Sequence, residues 1–310
     1  VVVPYYEAFL RRFPTVRDLA LASEEDVLAL WSGLGYYHRA RNLRRGARHL
    51  MAQQDGRFPK TLEAALGVPG VGLYTASAVL SIASGLPLPV VDGNVRRVLA
   101  RLLALAGPEW NTDGPYYNRA GEFLDPEQPG AFNQAVMELG ATLCRPRRPA
   151  CPVCPLRRQC RAHAAGMPES YPEPRRRRPT VDVTVAAALL ERAGRVLLVK
   201  RKEGRLMGRL WEVPQTSLES RGRADLVKEL REIHGLEIVA GPLAVRARHA
   251  ITHRRILLEG YRARLKRLPP EDQERFLWVA PSEISKLPVG SITRKMLKGL
   301  REPQMPLPLA

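Results

Sequence analysis

Over residues 1–165, apolar side chains return every three or four positions. In SEEDVLALWSGL they fall at 27, 28, 30, 31 and 34, with Ser23 placed as an N-cap and acids in the first turn, which predicts an amphipathic helix. The same spacing predicts helices near 38–53, 61–66, 74–84, 94–105, 115–124 and 131–143, punctuated by Gly and Pro in GLGYY, VPGVG, GLPLP and EQPG. The first residues, VVVPYYEAFLRRF, already read as helix and lack an initiator Met. The chain is therefore expected to be a fragment whose N-terminus lies further upstream.

After residue 180 the period shortens. VDVTVAAALLE and RVLLVKRK flank an RAG turn, the pattern of a β-hairpin. RADLVKELREIHG predicts a helix closed by Gly235, and LAVRARHAITHRRILLEGYRARL a strand pair bent near 250–253. Between the two textures, GMPESYPEPRRRRPT is Pro-rich and carries four consecutive Arg, 175–178, as an exposed basic linker would. The expected fold is multi-domain: an all-α domain over 1–165, a linker over 166–180, an α+β domain over 181–302 and a tail over 303–310. No internal repeat is visible.

Charge narrows the partner. Lys and Arg number 49 against 31 Asp and Glu, a formal net charge of +18, which points to a polyanion, above all nucleic acid. No apolar run approaches the roughly 18 residues of a membrane span. All four cysteines lie between 144 and 160. Disulfides of a secreted fold would not cluster in this way, so a reducing, cytoplasmic compartment is expected. Cys144, Cys151, Cys154 and Cys160 follow C-x6-C-x2-C-x5-C. That spacing suits a single metal centre, and it leaves a four-thiolate zinc site and an iron–sulfur cluster both open.

Two further stretches carry candidate chemistry. In LGVPGVGLYTASAVL, a Gly-rich turn opens a helix and presents backbone N–H groups, either as a phosphate seat or simply as a tight turn. In LPLPVVDGNVRRVL, Asp92 precedes a helix start. It reads as an N-cap, and equally as a carboxylate stationed to stabilise a cationic sugar, the state through which glycosidic bonds break. The two roles are compatible.

The order PGVG, VDGNVRRVL, FNQAVMELGATLC and then the four-cysteine loop resembles the helix–hairpin–helix DNA glycosylase superfamily that includes endonuclease III. With LWSGLGYYHRARNL and a second, Nudix-like domain, it is similar to the adenine DNA glycosylase (MutY) branch. That resemblance implies a monofunctional N-glycosylase of base excision repair. Its substrate would be adenine opposite 8-oxoguanine or guanine in double-stranded DNA, and it would act as a monomer in a bacterial cytoplasm. It implies a [4Fe–4S] cluster on Cys144, Cys151, Cys154 and Cys160. Asp92 would be the catalytic carboxylate, supported by Asn94. Tyr74 would stand where bifunctional relatives carry a Schiff-base lysine, a chemistry that a phenol cannot perform. Val68, Gly70, Val71 and Gly72 would form the DNA-binding hairpin. Tyr36 would wedge into the base stack, whereas its pattern alone favours an aromatic core position.

Departures from the family pattern matter. The glutamate that protonates the departing adenine in the family lies before PYYEAF, so this stretch alone is expected not to excise adenine. Glu7 belongs to another helix face. In the second domain the Nudix hydrolase signature is broken: Gln215 and Thr216 replace a Gly pair, and Lys228-Glu229 and Glu232-Ile233 replace Arg-Glu and a Glu pair. Losing one of the carboxylates that hold Mg²⁺ disfavours pyrophosphate hydrolysis. The resemblance instead makes this domain a lesion reader through Thr252 and His253, with Ile251 where an aromatic is usual. On its own pattern, His253 is simply a strand residue. Three alternatives remain open: a lesion-binding module without catalysis, a thymine-mismatch glycosylase, and a Nudix hydrolase with a helical appendage.

Overall fold

The computed structural model describes residues 2–173, 179–202, 208–269, 272 and 274–300. The Arg175–Arg178 run and the 303–310 tail lie outside the described residues. The chain forms two compact units, Arg45–Arg177 and a unit joining Val1–Arg44 to Arg178–Ala310.

The helices in chain order begin with α1 (Val3–Arg12), α2 (Val16–Leu21), α3 (Glu24–Trp31) and α4 (Tyr37–Gln53). Side chains fix these starts. Thr15 and Asp18 close a reciprocal capping box on α2, and Ser23 Oγ accepts from Asp26 N at 3.0 Å on α3. The unit 45–177 continues with α5 (Leu62–Leu66), α6 (Leu73–Ser84), α7 (Gly93–Leu103), α8 (Gly114–Phe123), α9 (Pro129–Thr142) and α10 (Arg161–Ala164). Its core gathers Val91, Val95, Leu99, Tyr116 and Ala120 in one cluster, and Ala65, Ala76 and Leu80 in another.

Two features aim the segment that carries Asp92. The Asn133 side chain, 3% exposed on α9, accepts from Val90 N and donates to Leu88 O and Ser81 Oγ. It thereby satisfies the non-helical stretch between α6 and α7, whose backbone would otherwise be left unpaired in the interior. Gly140 lets α9 press onto the start of α7: a Cβ there would lie 2.6 Å from Asn94 Cβ.

In the other unit, β1 (Val181–Arg192), β2 (Arg195–Lys200), β3 (Trp211–Glu212), β4 (Ile238–Ile251), β5 (Arg254–Leu265) and β6 (Phe276–Val279) form a mixed sheet in the order β3-β2-β1-β5-β4, with β6 also on β2. β1 and β5 run parallel, and the predicted hairpins β1–β2 and β4–β5 are antiparallel. The helices α11 (Leu226–His234) and α12 (Ser291–Gly299) complete the unit. Val185, Ala187 and Leu189 join the cluster that includes Met296 of α12, while Ala186, Ala188 and Leu190 join the one that includes Leu230 of α11. A strand covered on both faces needs no polar alternation, which accounts for the unbroken apolar run of β1. α11 ends at Gly235 with φ of 71°, the left-handed stop expected from sequence.

Candidate functional site

Asp92 is the N-cap of α7. Its Oδ1 accepts from Asn94 N and Val95 N, both at 2.8 Å, and its Oδ2 accepts from Asn94 Nδ2 at 3.0 Å. Oδ1 thus has both lone pairs engaged, and among the described contacts Oδ2 keeps one free. The carboxylate borders a cleft of about 600 Å³ also lined by Arg96, Arg97, Trp110, Asp113 and Tyr171. The N-cap and the cleft-lining carboxylate are therefore one side chain.

Asn94 does more than donate. Its Oδ1 accepts from Arg97 Nη2 at 2.8 Å, and Arg97 in turn donates to Gly140 O and Cys144 O, each at 2.7 Å. Burial pulls the Arg97 guanidinium below its ordinary range, as does Arg101, while Cys144 and Asp92 work in the opposite direction. One turn on, Arg101 is 2% exposed and donates to Arg145 O, Pro146 O and Tyr171 O, with Nη1 3.5 Å from Cys144 Sγ. Neither arginine was singled out from sequence. Their i, i+4 spacing on a helix flanked by the cysteine loop was the available signal.

The cysteine loop brings its thiols into one field. Burial pushes the Cys151 thiol up, and Cys160, Cys144 and Cys154 add to that shift, with Arg101 opposing it. Among the described residues, no group of three or more His, Cys, Asp or Glu side chains stands close enough to hold a metal ion. The four thiols thus feel one another electrostatically beside the buried Arg101 guanidinium, without converging on a common point among the described residues.

In the hairpin before α6, Gly70 takes φ of 84° and Val71 N donates to Val68 O at 3.0 Å. Val68 is 3% exposed, so its side chain holds the turn from inside while Gly70 and Gly72 lie at the surface. α6 starts at Gly72 without any side-chain cap, unlike α2, α3, α5 and α7. Its first N–H groups therefore have no side-chain partner from the cap position, and Gly72, Leu73 and Tyr74 are exposed. Tyr74, in that first turn, is 45% exposed.

In the other unit, Tyr36 is 72% exposed with φ of 47°, which removes the core alternative. Thr252, φ 55°, caps the β4–β5 turn, with Oγ1 donating to Ile251 O at 2.7 Å and lying 3.4 Å from His253 Nδ1. Ile251 packs against the core cluster below the sheet. In the broken Nudix motif, Glu229 Oε2 accepts from Ser217 N at 2.7 Å, Glu232 pairs with Lys228 at 4.0 Å, and Glu212 pairs with Arg201 at 2.7 Å.

Residues 1–113 match the model of the HhH-GPD superfamily of base excision DNA repair proteins, and residues 185–299 match a NUDIX domain. The chain thus carries an HhH-GPD domain followed by a Nudix-like domain with a mixed sheet. It is similar in sequence to adenine DNA glycosylases. It is 36% identical to the Homo sapiens adenine DNA glycosylase over 297 residues, covering 80% of this chain and 54% of that protein. The Arabidopsis thaliana enzyme is 39% identical over 252 residues, covering 70% and 40%. The Schizosaccharomyces pombe enzyme is 44% identical over 163 residues, covering 51% and 35%. The chain spans about half the length, or less, of these curated relatives. Among the described residues, no helix is long and apolar enough to cross a membrane.

Proposed function

We propose that the protein containing this chain is a monofunctional adenine DNA glycosylase that removes adenine opposite 8-oxoguanine or guanine. The observation that carries this reading is the Asp92 carboxylate, held by three N–H donors with one Oδ2 lone pair left over. As adenine departs, positive charge develops on the deoxyribose, and a fixed carboxylate nearby lowers the energy of that state without reorganising. A unit charge about 4 Å away is worth about 4 kcal/mol at an effective dielectric of about 20, roughly a thousandfold in rate. Asn94 and Arg97 keep the carboxylate from turning aside. The uncapped start of α6 and the Gly70 turn seat a backbone phosphate. Tyr36 enters the stack, helping offset the few kcal/mol that base flipping costs. Thr252 and His253 read the base opposite. Tyr74 has no amine, so no imine forms with the sugar.

Cys144, Cys151, Cys154 and Cys160 would hold a [4Fe–4S] cluster, which when bound cross-links the loop that Arg97 and Arg101 tie to α7. Purified protein should then be brown and contain iron and inorganic sulfide. A colourless preparation holding stoichiometric zinc would refute that assignment.

The test is single-turnover excision by the full-length protein on duplexes that pair adenine with 8-oxoguanine, guanine or thymine, with thymine opposite guanine as a further substrate. Release of adenine from the first two duplexes, without borohydride-trapped enzyme–DNA adduct, is expected. Lesion binding without base release would mark a recognition module, and release of thymine would mark the mismatch enzyme.

A further inference from the structure

Tyr36 sits in an unusual turn. Gly33 and Gly35 precede it with φ of 111° and 74°, and Tyr36 itself takes φ of 47° while 72% exposed. A tyrosine stays in left-handed backbone only where its surroundings over-determine it. Some of the restraint is local: Trp31 Nε1 donates to Gly35 O at 3.0 Å, and Gly33 N donates to the Tyr37 hydroxyl at 3.4 Å.

The rest comes from the far end of the same unit. The Ser32 hydroxyl, 8% exposed, donates to Val289 O at 2.8 Å and accepts from Arg294 Nη2 at 2.8 Å. Arg294 also donates to Leu287 O at 3.2 Å and, through Nε, to Val289 O at 3.4 Å. The Tyr37 hydroxyl reaches the same Val289 carbonyl at 3.5 Å. The residues immediately before and after the Gly33–Tyr36 turn are thus anchored on one carbonyl, and Arg294 of α12 holds that carbonyl and the serine together. The other end of α3 is fastened to the sheet as well, because Glu25 accepts from Trp211 Nε1 at 2.8 Å and from Lys200 Nζ at 3.0 Å. A helix pinned at both ends transmits little slack to the loop that follows it.

We infer that Arg294 is a positioning residue for Tyr36: its guanidinium, through Ser32 and Val289 O, sets the turn that presents the tyrosine to damaged DNA. The planar fork suits this task, since it serves a hydroxyl and two carbonyls together, which a lysine ammonium cannot do in the same geometry. The inference rests on the reading of Tyr36 as the lesion wedge.

The test uses the full-length protein and compares excision of adenine opposite 8-oxoguanine with excision opposite guanine. Arg294→Met and Ser32→Ala should each lower that preference about tenfold, with Arg294→Lys intermediate. Affinity for undamaged duplex should hold, and any fall in melting temperature should be the same with and without Tyr36. In a Tyr36→Ala background, Arg294→Met should change the preference no further, because the group it positions is gone. An equal effect of Arg294→Met with and without Tyr36 would assign it a general structural role and overturn the inference. So would an unchanged preference in Arg294→Met and Ser32→Ala, while a loss in Tyr36→Ala kept the wedge reading intact. Should Tyr36→Ala alone leave the preference unchanged, the wedge reading itself fails, and the inference with it. If Arg294→Met does not fold, Ser32→Ala and Arg294→Lys carry the same comparison.

Discussion

Carboxylates stand at two helices of this molecule and meet opposite fates. At the start of α7, Asp92 is held by Asn94 and Val95, keeps a free lone pair and borders a cleft. On α11, the acids left from the Nudix motif make contacts of another kind: Glu229 holds the 217 loop and Glu232 pairs with Lys228. The residue type is shared, and what differs is orientation: three N–H donors aim Asp92, whereas Glu229 has one such donor and Glu232 an exposed ion pair. On the proposed function, a carboxylate aimed in advance is the one that can stabilise charge without reorganising, which assigns catalysis to the helical domain and reading to the sheet domain.

Substitutions on each side sharpen the contrast. The largest effect should come from Asp92→Asn, which keeps the cap but removes the charge; single-turnover excision is expected to fall about a thousandfold, with duplex binding retained. Arg97→Ala should cost about ten- to hundredfold in the same assay, because it deprives Asn94 of a charged donor and lets the Asp92 side chain wander. On the other side, Glu229→Ala should leave excision untouched and lower unfolding stability by about 1 kcal/mol in urea titration, the loss of one charge-assisted contact to Ser217 N. A large loss of excision in Glu229→Ala would erase the distinction between the two regions.

The smallest effect concerns pH. Burial raises the Glu25 carboxyl, but hydrogen bonds from Trp211 and Lys200, with the Lys200 charge, outweigh it and hold the group below the ordinary glutamate value of 4.5. A depressed carboxyl contributes stability above that ordinary value and loses it as pH falls through the folded one. Thermal melting should therefore weaken slightly more on acidification in the native protein than in Glu25→Gln. Identical acid limbs would remove Glu25 from the account.

Legibility tracked the range of the interactions. The Ser23 cap, the Gly235 stop, the β1–β2 and β4–β5 hairpins and the Asp92 cap depend on neighbours within four residues, and spacing alone announced them. Tyr36 was not legible because its pattern alone favours an aromatic core position; only its exposure decides. Arg97 and Arg101 were not legible because most of their acceptors are carbonyls, at Gly140, Cys144, Arg145, Pro146 and Tyr171, and carbonyls carry no residue-type signal. Ser32 was hidden for the same reason, since its acceptor is the Val289 carbonyl.

The most direct measurement uses no turnover at all. Two duplexes would each hold 8-oxoguanine opposite a non-cleavable sugar, in one case a cationic pyrrolidine ring and in the other a neutral tetrahydrofuran. Full-length protein should bind the cationic ring markedly more tightly, and Asp92→Asn should lose that preference while binding the neutral ring as before. An undiminished preference for the cation in Asp92→Asn would contradict the claim that this carboxylate stabilises the sugar's positive charge.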